Sequence, residues 1–168
     1  RDLQLSVMAG DYGYGRQMIN AGRSSSCGVE LSLRGTALDN RFTWAATYGY
    51  THSQLLDYED NQVPFIPTHT FSAMTDYRIG KFTFGLNVAG NGPTYWDVDN
   101  EYRQKLYATL GAHAMVDFGC IKLNVWGRNL TDTKYNTMLV NSSIDGTNRS
   151  FAQQGNPLQV GADLIMHF

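Results

Sequence analysis

The chain has 168 residues, with Lys+Arg 13 against Asp+Glu 15 for a formal charge of -2, and it carries 17 Gly, 10 Tyr and only 4 Pro. That length suffices for one domain with a sizeable core, and the balanced, scattered charge argues against a nucleic-acid partner. No run of about 18 apolar residues is present to form a transmembrane helix, while 12% aromatics with abundant glycine favour β structure and tight turns.

In chain order, the dominant signal is period two, the spacing of a strand with two different faces. It is faint at Leu3, Leu5, Val7 and Ala9, and clearer where Val29, Leu31 and Leu33 alternate with Glu30, Ser32 and Arg34. Phe42, Trp44, Ala46, Tyr48 and Tyr50 then share one face, with Phe71, Ala73 and Tyr77 after them. Phe82, Phe84, Leu86 and Val88 follow, then Leu106 to Val116 in steps of two, Ile121 to Val125, and Leu158 to Phe168. The pattern predicts eight strands, roughly 2–9, 27–37, 41–54, 68–78, 81–91, 102–118, 120–130 and 157–168. The predicted fold is all-β, antiparallel and up-and-down.

The connections sort by length. Leu38-Asp39-Asn40, Ile79-Gly80 and Gly119 are short; 10–26, 55–67, 92–101 and 131–156 are long and polar. Long and short alternate strictly, so all long loops share one rim and all tight turns the other, the asymmetry of an outer-membrane barrel. Cys27 and Cys120 match no CxxC spacing and are expected as two isolated thiols. Arg1 stands where an initiator Met is absent, which fits either a removed leader or a chain cut from a longer one.

Period two leaves open whether the apolar face meets lipid or encloses a ligand. Glu30, Arg34, Asp76, Lys105, Asp117, Lys122, Arg128 and Asp163 on the polar face suit a wet lumen or the outside of a soluble barrel alike. Aromatics near strand ends (Phe42, Tyr77, Phe82, Tyr102, Phe118) and the terminal Phe168 favour lipid outside. Two alternatives remain at this level: a complete eight-stranded outer-membrane barrel with a structural or enzymatic role, and a soluble ligand-binding barrel of lipocalin type.

Four motifs then fall in a shared order. Trp126-Gly127-Arg128-Asn129-Leu130-Thr131-Asp132 followed by Tyr135 resembles the NLTD…Y signature of TonB-dependent receptors. Gln154-Gly155-Asn156-Pro157, then Gly161 and Phe168, resembles their closing strand, with Gln159 where Arg is common. Ile19-Asn20-Ala21-Gly22 with Cys27-Gly28-Val29-Glu30, and Val63-Pro64-Phe65-Ile66-Pro67 with His69, resemble an upstream strand pair and the lead-in to the next strand. The resemblance implies the C-terminal portion, 1–168, of a barrel of about 22 strands, with the plug domain and TonB box absent. It implies outer-membrane lipid, the plug and the remaining strands as partners, and TonB only through the parent chain. The implied role is energised uptake of a scarce nutrient such as an iron chelate, a vitamin or a glycan. Phe168 is similar to the terminal aromatic that serves as insertion signal in such barrels.

No HExxH, Gly-x-Ser-x-Gly or Walker motif is found, so no enzyme, metal site or cofactor is expected. Acidic residues Asp57, Glu59 and Asp60 lie between His52 and His69, but without calcium-loop spacing. Ligand contact is expected on the long loops, where Tyr95, Trp96, Asp97 and Asp99 combine aromatic faces with carboxylates and Tyr58 offers a further ring.

Overall fold

The computed structural model describes residues 2–8, 16–144 and 147–166. Among these residues there is no helix. The strands are β1 (Asp2–Met8), β2 (Arg16–Ala37), β3 (Phe42–Leu55), β4 (His69–Ile79), β5 (Phe82–Asn91), β6 (Thr94–Tyr95), β7 (Arg103–Gln104), β8 (Tyr107–Asp117), β9 (Ile121–Arg128), β10 (Asn136–Ile144), β11 (Thr147–Gln154) and β12 (Gln159–Met166). Eight form one antiparallel sheet in the order β1-β2-β3-β4-β5-β8-β9-β12, while β6-β7 and β10-β11 are separate hairpins. All eight predicted strands are present in sequence order, and β1 and β12 stand at the two ends of that order.

Three details differ from the sequence reading. β2 begins at Arg16, well before the predicted start near residue 27. Its 22 residues exceed the roughly 9–11 that a tilted strand needs to cross a bilayer, so its first half carries no lipid-facing alternation to betray it. That half pairs with β1 from Arg16 to Arg23, and the second half pairs with β3 from Ser24 to Ala37. The predicted 102–118 strand is interrupted, with Lys105 and Leu106 outside both β7 and β8. The 131–156 loop carries the β10-β11 hairpin.

The register keeps the two faces separate across the sheet. On one face Trp44, Thr75, Leu86, Ala112, Gly127 and Val160 stand in a single row. On the other, Thr43, Asp76, Gly85, His113, Trp126 and Gly161 do. The apolar face is broadly exposed: Val29 is 72% and Val160 71% accessible, and Phe82, Leu86 and Leu164 are likewise exposed. A patch this broad needs a non-aqueous cover. Hydrophobic burial here is therefore supplied by a bilayer and not by an interior, as in a transmembrane barrel wall.

The tight turns need unusual backbone. Leu38, Asp39 and Asn40 all lie in the left-handed region (φ 54°, 54° and 63°), with Arg41 N donating to Leu38 O at 3.1 Å. Gly80 and Gly119 take φ 58° and 90° at the other two, conformations that glycine reaches without steric cost. Cys120 adjoins the last of these turns and Cys27 lies within β2; both thiols are free and exposed. A thiol titration of the unreduced, unfolded chain should count two.

The loop rim and its candidate ligand cleft

Interior packing concentrates where the long loops meet. Among the described residues the buried hydrophobics are Leu55 and Val63, joined by buried Ser53 and Thr94. Residues 55–61 close on themselves: Leu55 N donates to Asn61 O at 2.7 Å and Asn61 N to Tyr58 O at 2.8 Å. Asn100 then binds this turn to the next loop. Its Oδ1 accepts Gln62 N at 2.8 Å and its Nδ2 donates to Gln62 O at 3.0 Å, while Asn61 Nδ2 donates to Val98 O at 2.9 Å. Phe65 N donates to Tyr95 O at 2.8 Å and Thr68 N to Pro93 O at 3.0 Å. Two loops that are remote in sequence thus form one cap.

The same rim carries a charged tie. The Asp57 carboxylate accepts Arg23 N at 2.8 Å and faces the Arg23 guanidinium at 3.2 Å. Gly22, at φ 73°, leaves room for it, since a Cβ there would overlap Asp57. The Arg23 backbone N–H, then its side chain, hold the Asp57 carboxyl below its ordinary value. The folded form therefore gains from this contact above the ordinary carboxylate pKa. The gain fades as pH falls through the lowered folded value. Acidification should lower the protection factor of the Arg23 amide, taken relative to its intrinsic exchange rate at each pH, and Asp57→Asn should remove that pH dependence.

Of the sequence-predicted contact residues, Tyr95 lies in β6 opposite Arg103, whose guanidinium carbon is 5.8 Å from the ring centroid. Asp97 accepts the backbone N–H groups of Glu101 (3.1 Å) and Tyr102 (2.9 Å), which closes the β6-β7 hairpin. Asp99 is exposed at its tip, and Tyr58 is half-buried in the neighbouring turn. Trp96 packs edge-on against Phe65 with centroids 5.6 Å apart. Trp96 alone of the five lines a cleft of about 300 Å³, with Phe65, Pro67, Asn91, Thr94, Gln104, Tyr107, Asn136 and Thr137. Phe168 lies outside the described residues.

Tyr107 and Asn91 were not singled out by sequence, although both fall on the polar parity. Asn91 Nδ2 donates to Tyr107 Oη at 3.2 Å, and the Tyr107 ring stacks on Tyr135 at 4.2 Å between centroids. Both residues also line a second cleft of about 340 Å³ with Thr47, Thr70, Ser72 and Thr109. The two clefts adjoin at Asn91 and Tyr107, and no acidic or basic residue lines either of them. Charge is stronger nearer the tight turns, where His113 pairs with Asp76 at 3.4 Å and Lys122 with Asp117 at 2.9 Å. The NLTD segment anchors the far side of the cap: Asn129 is 6% exposed and bonds Thr133 and Asn156, while Asp132 Oδ1 accepts Leu158 N at 3.1 Å.

A polar inner face, an apolar outer face and a rim of knitted loops define part of the wall of an outer-membrane β-barrel. The family model of the TonB dependent receptor-like β-barrel matches residues 1–130. The chain belongs to that family. It is 30% identical over 146 residues to the pesticin receptor of Yersinia enterocolitica, a match covering 82% of this chain and 21% of the relative. The structure of the ferric yersiniabactin uptake receptor FyuA from Yersinia pestis superposes with a TM-score of 0.80 at 25% identity, over 90% of this chain and 25% of that one. The ferric citrate transporter FecA shares the fold, with a TM-score of 0.69 at 19% identity over 96% of this chain and 27% of that one. The chain spans about a fifth of the length of the curated relatives it matches. These relatives are receptors and transporters, and their barrels place this chain in the bacterial outer membrane.

Proposed function

We propose that this chain forms the C-terminal strands of a receptor that takes up a ferric chelate across the outer membrane, driven by TonB through the parent protein. The supporting observation is the pair of adjoining clefts at the loop rim, which share Asn91 and Tyr107 and mix uncharged polar groups with aromatic rings. A chelate class is favoured over a vitamin or glycan by the likeness to a ferric yersiniabactin uptake receptor over 90% of the chain. On this reading the unpaired sides of β1 and β12 join the remaining strands of the barrel, a plug fills the lumen, and lipid covers Phe82, Leu86 and Val160. Tyr95 and Trp96 sit where ligand is captured, with Asp97, Asp99 and Tyr58 shaping the cap around them.

The test is radio-iron uptake by cells that carry the full receptor gene and lack their other iron receptors. Uptake should depend on a ferric chelate and stop when the inner membrane is de-energised or TonB is deleted. Iron entry that continues without energisation, or uptake of a vitamin or glycan with no iron chelate taken, would reject the reading.

A further inference from the structure

The cap contains a buried donor without an acceptor, packed beside an aromatic residue of unusual backbone conformation. The Trp96 indole Nε1–H is enclosed and has no hydrogen-bond partner. Buried donors are almost always paired, so an orphan calls for a cause. Its neighbour Phe65 lies in the left-handed region at φ 65° yet remains 49% exposed. A bulky aromatic rarely adopts that backbone, and such strain gathers at ligand clamps and switch segments. Phe65 packs edge-on against Trp96, and both line the same cleft.

The other polar groups of that cleft are largely spent within the protein. Gln104 Oε1 accepts Asn136 N at 2.9 Å and Gln104 Nε2 donates to Lys105 O at 3.0 Å. Thr94 Oγ1 donates to Gly92 O at 3.3 Å and Thr137 Oγ1 to Gln153 O at 3.1 Å. Asn91 donates to Tyr107 Oη, which leaves the Tyr107 hydroxyl proton for another acceptor. The lining residues include no acid and no base. The aromatic groups of the cleft thus offer two donors, Trp96 N–H and Tyr107 O–H, beside flat rings and without a counter-charge.

We infer that Phe65 and Trp96 form a gated subsite for a ring-bearing chelate that presents acceptor oxygens. Phe65 covers the Trp96 N–H, and it turns aside when a phenolate oxygen on the ligand ring takes that hydrogen bond. The ligand ring then rests against Trp96 and Tyr107. Aromatic contact of this kind tolerates variation in the ligand, while the donors select for acceptor oxygens. This inference rests on the uptake reading above and specifies the chemistry its cleft selects.

The experiment uses the intact receptor in detergent with three probes: ferric dihydroxybenzoate, ferric citrate and maltoheptaose. Trp96→Phe keeps an aromatic ring and removes the N–H together with part of the indole face. It should weaken ferric dihydroxybenzoate binding by about five- to tenfold, as expected for one lost hydrogen bond, and leave ferric citrate unchanged. Phe65→Ala should speed association of the ring-bearing probe without weakening it, and Trp96→Tyr, which returns a donor, should recover part of the loss. Unchanged affinity in Trp96→Phe, or an equal loss for both chelates, would overturn the subsite. A Phe65→Ala loss as large as that of Trp96→Phe would overturn the gate. Binding of ferric citrate or maltoheptaose without the ring-bearing probe, alongside energised iron uptake, would reject this inference alone. Absence of energised iron uptake by the wild-type receptor would remove both readings.

Discussion

Asn129→Ala should destabilise the intact receptor by about 3 kcal/mol, the scale expected when buried groups lose their hydrogen-bond partners. Asn129 Nδ2 donates to Thr133 O at 3.0 Å and Asn156 O at 2.9 Å, and Oδ1 accepts Thr133 N at 2.9 Å. These bonds hold both ends of the β9-to-β12 connection in place. Alanine removes all three and leaves backbone groups unpaired in a site where the side chain is 6% exposed. It also occupies φ 47°, which Asn tolerates better than Ala. Asp132→Ala, at the same φ of 47°, loses one exposed bond to Leu158 N and should cost about 1–2 kcal/mol. Guanidinium unfolding of the two variants in detergent measures the difference, and equal midpoints would show that the NLTD segment is held by other contacts.

Gly90→Ala should cost about 1–3 kcal/mol, as overpacking does when neighbours cannot yield. A Cβ at Gly90 would meet the backbone oxygen of Tyr107 and the Phe71 ring, and would lie 3.0 Å from Ala108 Cα. Backbone on the paired strand cannot turn away as a side chain can, so β5 and β8 must part. The separation would fall beside the Asn91–Tyr107 hydrogen bond, at the junction of the two clefts. Gly85→Ala is the informative contrast, since its Cβ would meet the Asp76 and His113 side chains, which are free to rotate into the lumen. Gly90→Ala should therefore lower both the unfolding midpoint and ligand affinity. Gly85→Ala should move the midpoint less and leave affinity unchanged. Indistinguishable variants would mean that the β5-β8 contact is more compliant than its geometry implies.

The strands were legible because a bilayer imposes a strict alternation, and Phe82, Phe84, Leu86 and Val88 spell it out residue by residue. Where a strand leaves the bilayer that constraint ends, and the reading fails: 16–26 in β2 scatters Met18, Ile19 and Ala21 over both parities among polar residues and gives no period. The cap was half legible. Trp96 stood out by composition, but its partner Phe65 lies 31 positions earlier and joins it only through loop packing. Asp97 closes its own hairpin, a local bond that Asp commonly makes in turns and that its place beside aromatic residues does not reveal. Tyr107 was hidden because its polar parity marks every lumen residue equally.

The joining of residues 61–68 to 93–102 by Asn61, Gln62, Phe65 and Asn100 has an immunological consequence. The surface that this cap presents to an antibody is discontinuous, assembled from two peptides that adopt their shape only against each other. Sera raised to either loop as a free peptide should bind the denatured chain and recognise the folded receptor poorly. Antibodies raised to the folded receptor should lose binding on Asn100→Ala even when their footprint excludes that residue, because Asn100 ties the two halves together.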